Sequence, residues 1–335
     1  MKNLIKVIAF LLIPAFVLTS CKDNSSEPAL SEFEVLTAYM AQQNLDLSNV
    51  LDGWVKSGSS ININTADFSV PDYYVIDLRS ADDYNAGHIK DAHNTTMANV
   101  LDEADKAGTT PLLVVCYTGQ TAARATGLLR LMGHTAYTLK WGMSGWHANF
   151  AGKWNSNAVD YSSANWVDTD DERTLGDFSE PVINTGEKDG AAILEAQVQA
   201  ALDNSWSISK TDVLDNPSNY FVNNKWSLAN YVLFGHVANA YRIDEQMSLA
   251  NLNYLDPTAT IVTYCYTGQT SAITNAWLDV LGYNTKSMSF GANAIIHTQL
   301  VNSDATKKSA WKGEGSGSEN NFGYYDSEGN LHGPN

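Results

Sequence analysis

Cysteine is scarce in this chain: 335 residues contain Cys21, Cys116 and Cys265 and no others. Three thiols cannot form a disulfide framework, and none stands in a C-x-x-C pair. The seven histidines form no cluster at metal-ligand spacing, so no metal site is indicated. Positive charge is scarce too. Twenty Lys+Arg against 37 Asp+Glu give a formal charge of −17. Such a surface argues against nucleic acid as a partner and repels anionic lipid outside any anchor. The one long apolar run, Val7 to Val17, is too short for an ordinary membrane span.

What is present is a repeat. Leu112 to Val115 is a short apolar run that leads into Cys116-Tyr117-Thr118-Gly119-Gln120-Thr121. Ile261 to Tyr264 leads into Cys265-Tyr266-Thr267-Gly268-Gln269-Thr270, the same hexapeptide 149 residues later. Each loop is followed by a helix-like segment, so the pattern reads as buried parallel strand, tight loop and helix N-terminus. A loop of this kind gathers backbone N–H groups into a small bowl that favours negative charge. A cysteine on its floor is expected to have a lowered pKa and to exist partly as thiolate. An inert buried cysteine followed by a turn is the alternative, and the repetition argues against it.

The first twenty residues read as a signal, with Lys2 and Lys6 before the apolar run. Leu18-Thr19-Ser20-Cys21 resembles a bacterial lipobox. That resemblance implies a lipidated Cys21, a tether over residues 21–30, and an extracytoplasmic, membrane-anchored location in the cell envelope. Loss of the leader leaves 18 basic and 37 acidic residues, a charge of −19.

From Ser31 the chain reads as globular. Phe33, Leu36, Tyr39 and Met40 have helical spacing, and Tyr73 to Arg79 reads as a strand. Ser80 is a candidate N-cap for a short helix ended by Gly87. Thr121 to Leu131 is the next helix and Ala136 to Leu139 the next strand. The second half repeats the plan: Gly235-His236-Val237 echoes Gly87-His88-Ile89, Gly282 echoes Gly133, and Phe290-Gly291 echoes Trp141-Gly142. The expected organisation is a first domain over 31–155, a linker over 156–189, a divergent second domain over 190–312 and a polar, mobile tail over 313–335. Trp154 and Trp166 suggest that part of the linker region packs on a domain, and Tyr324 and Tyr325 suggest that the tail could dock.

Ile76-Asp77-Leu78-Arg79, Tyr84, Gly87-His88-Ile89 and Ala92 together resemble the opening signature of the rhodanese family. The Cys116 to Thr121 loop is similar to that family's active-site loop, and Trp141 to Trp146 to its closing motif. The resemblance implies two α/β domains, each a mainly parallel five-stranded sheet flanked by helices. It also implies sulfur transfer through a persulfide on Cys116, with Cys265 as a second catalytic cysteine, and no cofactor. The partners would be a small sulfur donor and a thiol, cyanide or sulfite acceptor. Asp77 and Arg79 would buttress the loop, and His88 and His236 read as framework histidines.

The second copy departs from that pattern. Asn224 stands where Asp77 does, Trp226 where Arg79 does, and Ala292 to Ile295 replaces Met143 to Trp146. Neither loop holds a basic residue, although many thiosulfate-using members carry Arg or Lys there. Phosphatases of related fold use Cys-x-x-x-x-x-Arg; here that arginine position holds Ala122 or Ser271, and Arg124 falls two places late. The expectation is therefore sulfur transfer led by the first half. A non-catalytic binding module and a thiol redox sensor remain as alternatives.

Overall fold

The structure is a computed structural model that describes residues 29–169, 173–243, 247–313 and 318–334. The leader, the lipobox and Cys21 lie outside the described residues. The strands are β1 (Val55–Lys56), β2 (Tyr74–Asp77), β3 (His93–Asn94), β4 (Leu112–Val115), β5 (Ala136–Leu139), β6 (Trp166–Val167) and β7 (Ser207–Ile208). They continue with β8 (Phe221–Asn224), β9 (His236–Val237), β10 (Tyr241–Arg242), β11 (Ile261–Tyr264), β12 (Thr285–Met288), β13 (Tyr324–Tyr325) and β14 (Leu331–His332). The helices the site depends on are α1 (Glu32–Gln42), α2 (Leu47–Val50), α3 (Ala81–Ala86), α4 (Val100–Asp105), α5 (Gln120–Leu131) and α6 (Gly152–Asn157). In the second half they are α7 (Gly190–Asp203), α8 (Lys210–Asp215), α9 (Leu228–Phe234), α10 (Gln269–Val280) and α11 (His297–Asn302).

Two five-stranded sheets result, ordered β1-β5-β4-β2-β3 and β10-β8-β11-β12-β7. All pairings within them are parallel. The central strands β4 and β11 are buried along their whole length, as strands covered by helices on both faces must be. Register matches between the halves: Asp77 pairs with Val115 and Asn224 with Tyr264. That puts Asn224 where Asp77 stands.

Helices α5 and α10, each following a cysteine loop, pack against one another and are almost wholly buried. Their small residues, Ala122, Ala123, Ala125, Ala272 and Ala276, allow that close approach and lie in a single core that draws on both halves. Arg124 and Asp279 form a buried ion pair across this seam at 2.8 Å, and Arg124 also donates to the Ala201 carbonyl at 2.5 Å. The described residues from Ser31 onward thus pack as one compact unit.

The segment between the halves packs on the second. β6 pairs with β9, and Trp166 Nε1 donates to the Phe234 carbonyl at 3.0 Å. Residues 318–334 do not hang free. Trp146 Nε1 donates to Gly323 O at 2.8 Å, and His88 and Tyr325 exchange backbone hydrogen bonds of 2.8 and 2.9 Å. The polar tail expected to be mobile is held because Phe322 and Tyr324 bury their rings against Trp146, His147 and Phe150.

Candidate active site

Cys116 follows β4 and faces the first turn of α5. Its sulfur accepts from Gly119 N–H at 3.2 Å and from Ala122 N–H at 3.4 Å. The turn works because Gly119 caps α5 in the left-handed region, at φ 81°, where a side chain would be strained. A second turn lies beneath: Met143 N–H donates to Cys116 O at 2.8 Å and Ser144 N–H to Tyr117 O at 3.0 Å. Gly142 is required there, since a Cβ would collide with the Cys116 carbonyl. The Cys265 loop repeats this frame. Ser271 N–H lies 3.4 Å from the sulfur, Gly268 caps α10 at φ 74°, and Ala292 and Asn293 support the loop from below.

The frames differ in their braces. Arg79 binds Asp77 through Nε and Nη2, at 2.6 Å for the shortest contact, and donates onward to Gly87 O at 2.6 Å. Its guanidinium lies 5.6 Å from the Tyr117 ring centre. In the second half Asn224 Oδ1 accepts from Trp226 N–H at 2.7 Å and Asn224 Nδ2 donates to Tyr264 OH at 2.5 Å. Trp226 then stacks on Tyr266 at 4.7 Å, with the rings 12° apart. A stacked aromatic pair thus stands where the first half has an ion pair. His88 and His236 stack on Tyr84 and Tyr231 at 4.0 and 3.6 Å, framework positions in both halves.

One expectation is overturned. Burial pushes the Cys116 thiol up from its ordinary value, and the Asp77 carboxylate adds to the rise. The amides of Ala122, Thr118 and Gly119 pull the other way and do not prevail. Sequence reasoning saw the amides and the helix end but not how completely the loop closes over the sulfur, which leaves Cys116 3% exposed.

A cleft of about 480 Å³ opens over Cys116. Arg79, Ser80, Tyr117, Thr118, Gln120, Thr121 and Lys153 line it from the first half, and Trp206, Ser207, Ser289 and Phe290 from the second. Lys153 Nζ sits 3.6 Å from the Tyr117 ring centre. The loop carries no cation of its own, and α6 delivers one from outside. No local spacing signals this, since Lys153 lies 37 residues beyond the cysteine. Cys265 does not line this cleft. It is buried near Thr267 Oγ1 at 3.9 Å and Ser271 Oγ at 3.6 Å, and Thr270 is half-buried in the first turn of α10.

The two loop glutamines act as struts between the halves. Gln269 Nε2 donates to Thr118 O at 2.9 Å, and Gln120 Oε1 accepts from Phe290 N–H at 2.7 Å. Trp154 stands between the loops. It is edge-on to Trp141 at 4.9 Å and to Phe290 at 5.0 Å, and its Nε1 donates to Thr118 O at 3.2 Å. Trp141 and Phe290 hold positive φ of 67° and 61°, strained for bulky side chains and maintained by this packing.

Among the described residues no group of acids, histidines and cysteines is placed to hold a metal. Comparison with known proteins agrees with the loop geometry. A family profile, the Rhodanese-like domain, matches residues 62–149, a span that includes the Asp77–Arg79 brace and the Cys116 loop. The thiosulfate sulfurtransferase GlpE of Shewanella oneidensis is 35% identical over 77 residues, which is 22% of this chain and 74% of its own length. Among solved structures, the 3-mercaptopyruvate sulfotransferase SseA of Escherichia coli is 14% identical, with a TM-score of 0.26 over 70% of this chain and 97% of its own. The Rhodanese-like domain protein of Staphylococcus aureus is 22% identical, with a TM-score of 0.20 over 21% of this chain and 71% of its own. The sequence match carries the assignment: a relative at that identity, matched along about three quarters of its length, makes this chain a member of the rhodanese family.

Proposed function

We propose that the protein is a sulfurtransferase working through a persulfide on Cys116. The observation that carries this reading is a cysteine sulfur receiving two backbone N–H donors at the foot of a cleft wide enough for an organic donor. The step is covalent catalysis. The Cys116 thiolate attacks the outer sulfur of a donor R–S–SH. That S–S bond breaks, R–S⁻ leaves with the electron pair, and Cys116–S–SH forms. An acceptor thiolate, cyanide or sulfite then attacks the terminal sulfur and takes it as X–SH. Cys116 returns as thiolate, and no net oxidation of the protein occurs. The loop amides stabilise the anionic sulfur, and Lys153 offers a cation at the mouth for a negatively charged donor.

The second half reads as a divergent domain of the same kind, with a supporting role. The lipobox-like Leu18 to Cys21 supports anchoring by a diacylated Cys21 at the cell envelope, with the two halves spanning 31–155 and 190–312, the linker 156–189 between them and the tail 313–335 after them. Mass spectrometry after exposure to an organic persulfide tests the chemistry. A gain of one sulfur on the Cys116 peptide, released by cyanide as thiocyanate, is expected. Two unmodified thiols, or sulfenic acid alone, would defeat the proposal. Labelled palmitate incorporation that persists in Cys21→Ser would defeat the anchor.

A further inference from the structure

Thr118 O accepts two side-chain donors, Gln269 Nε2 at 2.9 Å and Trp154 Nε1 at 3.2 Å. That carbonyl belongs to the peptide unit whose N–H is Gly119's, and Gly119 N–H is the donor 3.2 Å from the Cys116 sulfur. No cis peptide occurs among the described residues. In a trans unit the C=O and N–H point in opposite directions. Pulling the carbonyl toward Gln269 and Trp154 therefore aims the N–H at the sulfur. Two donors on the oxygen also polarise the unit, which makes its N–H a better partner for a sulfur anion.

We infer that Gln269 of the second half is a positioning residue for Cys116: with Trp154 it fixes the 118–119 peptide so that Gly119 N–H stabilises the ionised sulfur. The second half is then part of the first half's site, whatever Cys265 itself does. Gln269 is 2% exposed, so solvent cannot easily take over its bond. The arrangement is not mirrored. Gln120, the counterpart, spends its amide oxygen on Phe290 N–H and its Nε2 on Thr118 Oγ1 of its own loop, at 3.1 Å. Both glutamines thus serve the first loop or the turn beside its cleft. The matching hexapeptides accordingly do different work. The inference concerns the ionisation of Cys116 and stands apart from the sulfur-transfer reading.

The test is alkylation rate against pH in a Cys265→Ser background. Gln269→Met keeps the side-chain volume and removes the donor. It should move the Cys116 midpoint upward by about half a unit to one unit, or roughly three- to tenfold less thiolate at fixed pH below the midpoint. Gln197→Met deletes a comparable amide bond, from Gln197 Nε2 to Val280 O at 3.1 Å, away from the loop, and should leave the midpoint in place. If sulfur transfer is present, Gln269→Met should lower kcat with KM little changed. A folded Gln269→Met that titrates like its parent would overturn the inference. If that variant does not fold, Trp154→Phe removes the other donor from the same carbonyl and keeps a ring in place. A parental midpoint in Trp154→Phe, or an equal shift in Gln197→Met, would likewise overturn it. Because alkylation needs no sulfur donor, a protein without transferase activity could still bear the inference out.

Discussion

The Cys116 and Cys265 loops share six residues in order, yet Cys116 lines a cleft of about 480 Å³ while Cys265 lies off that cleft, against Thr267 and Ser271. Behind Cys116 stands a buried Asp77–Arg79 pair whose guanidinium reaches Gly87 O and faces Tyr117. Behind Cys265, Asn224 and Tyr264 take the polar contacts and Trp226 covers Tyr266. A loop sequence specifies a local frame. Its surroundings decide whether a substrate can reach the sulfur and which groups meet it there.

The largest effect expected separates the two cysteines. Cys116→Ser should lower sulfur transfer to cyanide on the order of a thousandfold or more, since it removes the proposed nucleophile. Cys265→Ser should stay within about threefold of the parent. Steady-state rates of the two variants with an organic persulfide decide this. The reverse ordering, or equal losses, would break the comparison at its root.

The braces come next. Arg79→Ala leaves the Asp77 carboxylate buried at 1% exposure without its partner and frees the Tyr117 side of the loop. Misplacement of a reacting group by about 1 Å costs on the order of a hundredfold, and kcat should fall by about that factor. Trp226→Leu, at the matching place, should leave turnover within about threefold. A similar kcat in parent and Arg79→Ala would mean that the loop is held by its hydrogen bonds to Met143 and Ser144 alone.

The pH response sharpens the same contrast. Because burial raises the Cys116 thiol, the thiolate is a minority species at neutral pH. Alkylation of Cys116 should therefore climb about tenfold per pH unit past the free-cysteine value of about 8.5. The linkage to stability has a definite sign. A thiol whose folded pKa is raised contributes stability that is present below the unfolded value and is lost as pH rises from there through the folded value. Urea midpoints between pH 8 and 10 should fall more steeply for the parent than for Cys116→Ala. A plateau in alkylation below pH 8 would contradict both expectations.

Strand–loop–helix order and the two parallel sheets are legible because β-branched runs, glycines and the repeated hexapeptide are local signals. The substitution of Asn224 and Trp226 for Asp77 and Arg79 was legible as well, and the matched register of β2 with β4 and of β8 with β11 explains why. What could not be read depends on contacts distant in sequence. Gln269 meets Thr118 151 residues away, Phe290 lines the cleft of the other half, and the tail from Ser318 folds back onto Trp146. The raised pKa of Cys116 is hidden from the sequence for the same reason. Donors can be inferred from a loop, whereas desolvation depends on everything packed around it.

The smallest effect concerns Lys153. Its ammonium lies 3.6 Å from the centre of the Tyr117 ring, at the mouth of the cleft and on an exposed turn of α6. An exposed cation–π contact contributes about 0.5–1 kcal/mol, and an anion in reach of the same ammonium gains a comparable, salt-screened attraction. The counterpart ring, Tyr266, faces Trp226 instead, so no equivalent steering is expected at Cys265. Lys153→Ala should raise KM about three- to fivefold for a carboxylate-bearing persulfide and leave kcat near the parental value, because the group acts on binding and not on the breaking S–S bond. The increase should shrink as salt is raised from about 0.05 to 0.5 M, as the Debye length contracts. A neutral persulfide of similar size should show no increase. Equal KM changes for charged and neutral donors would assign Lys153 to packing over Tyr117 and leave the cleft without its steering charge.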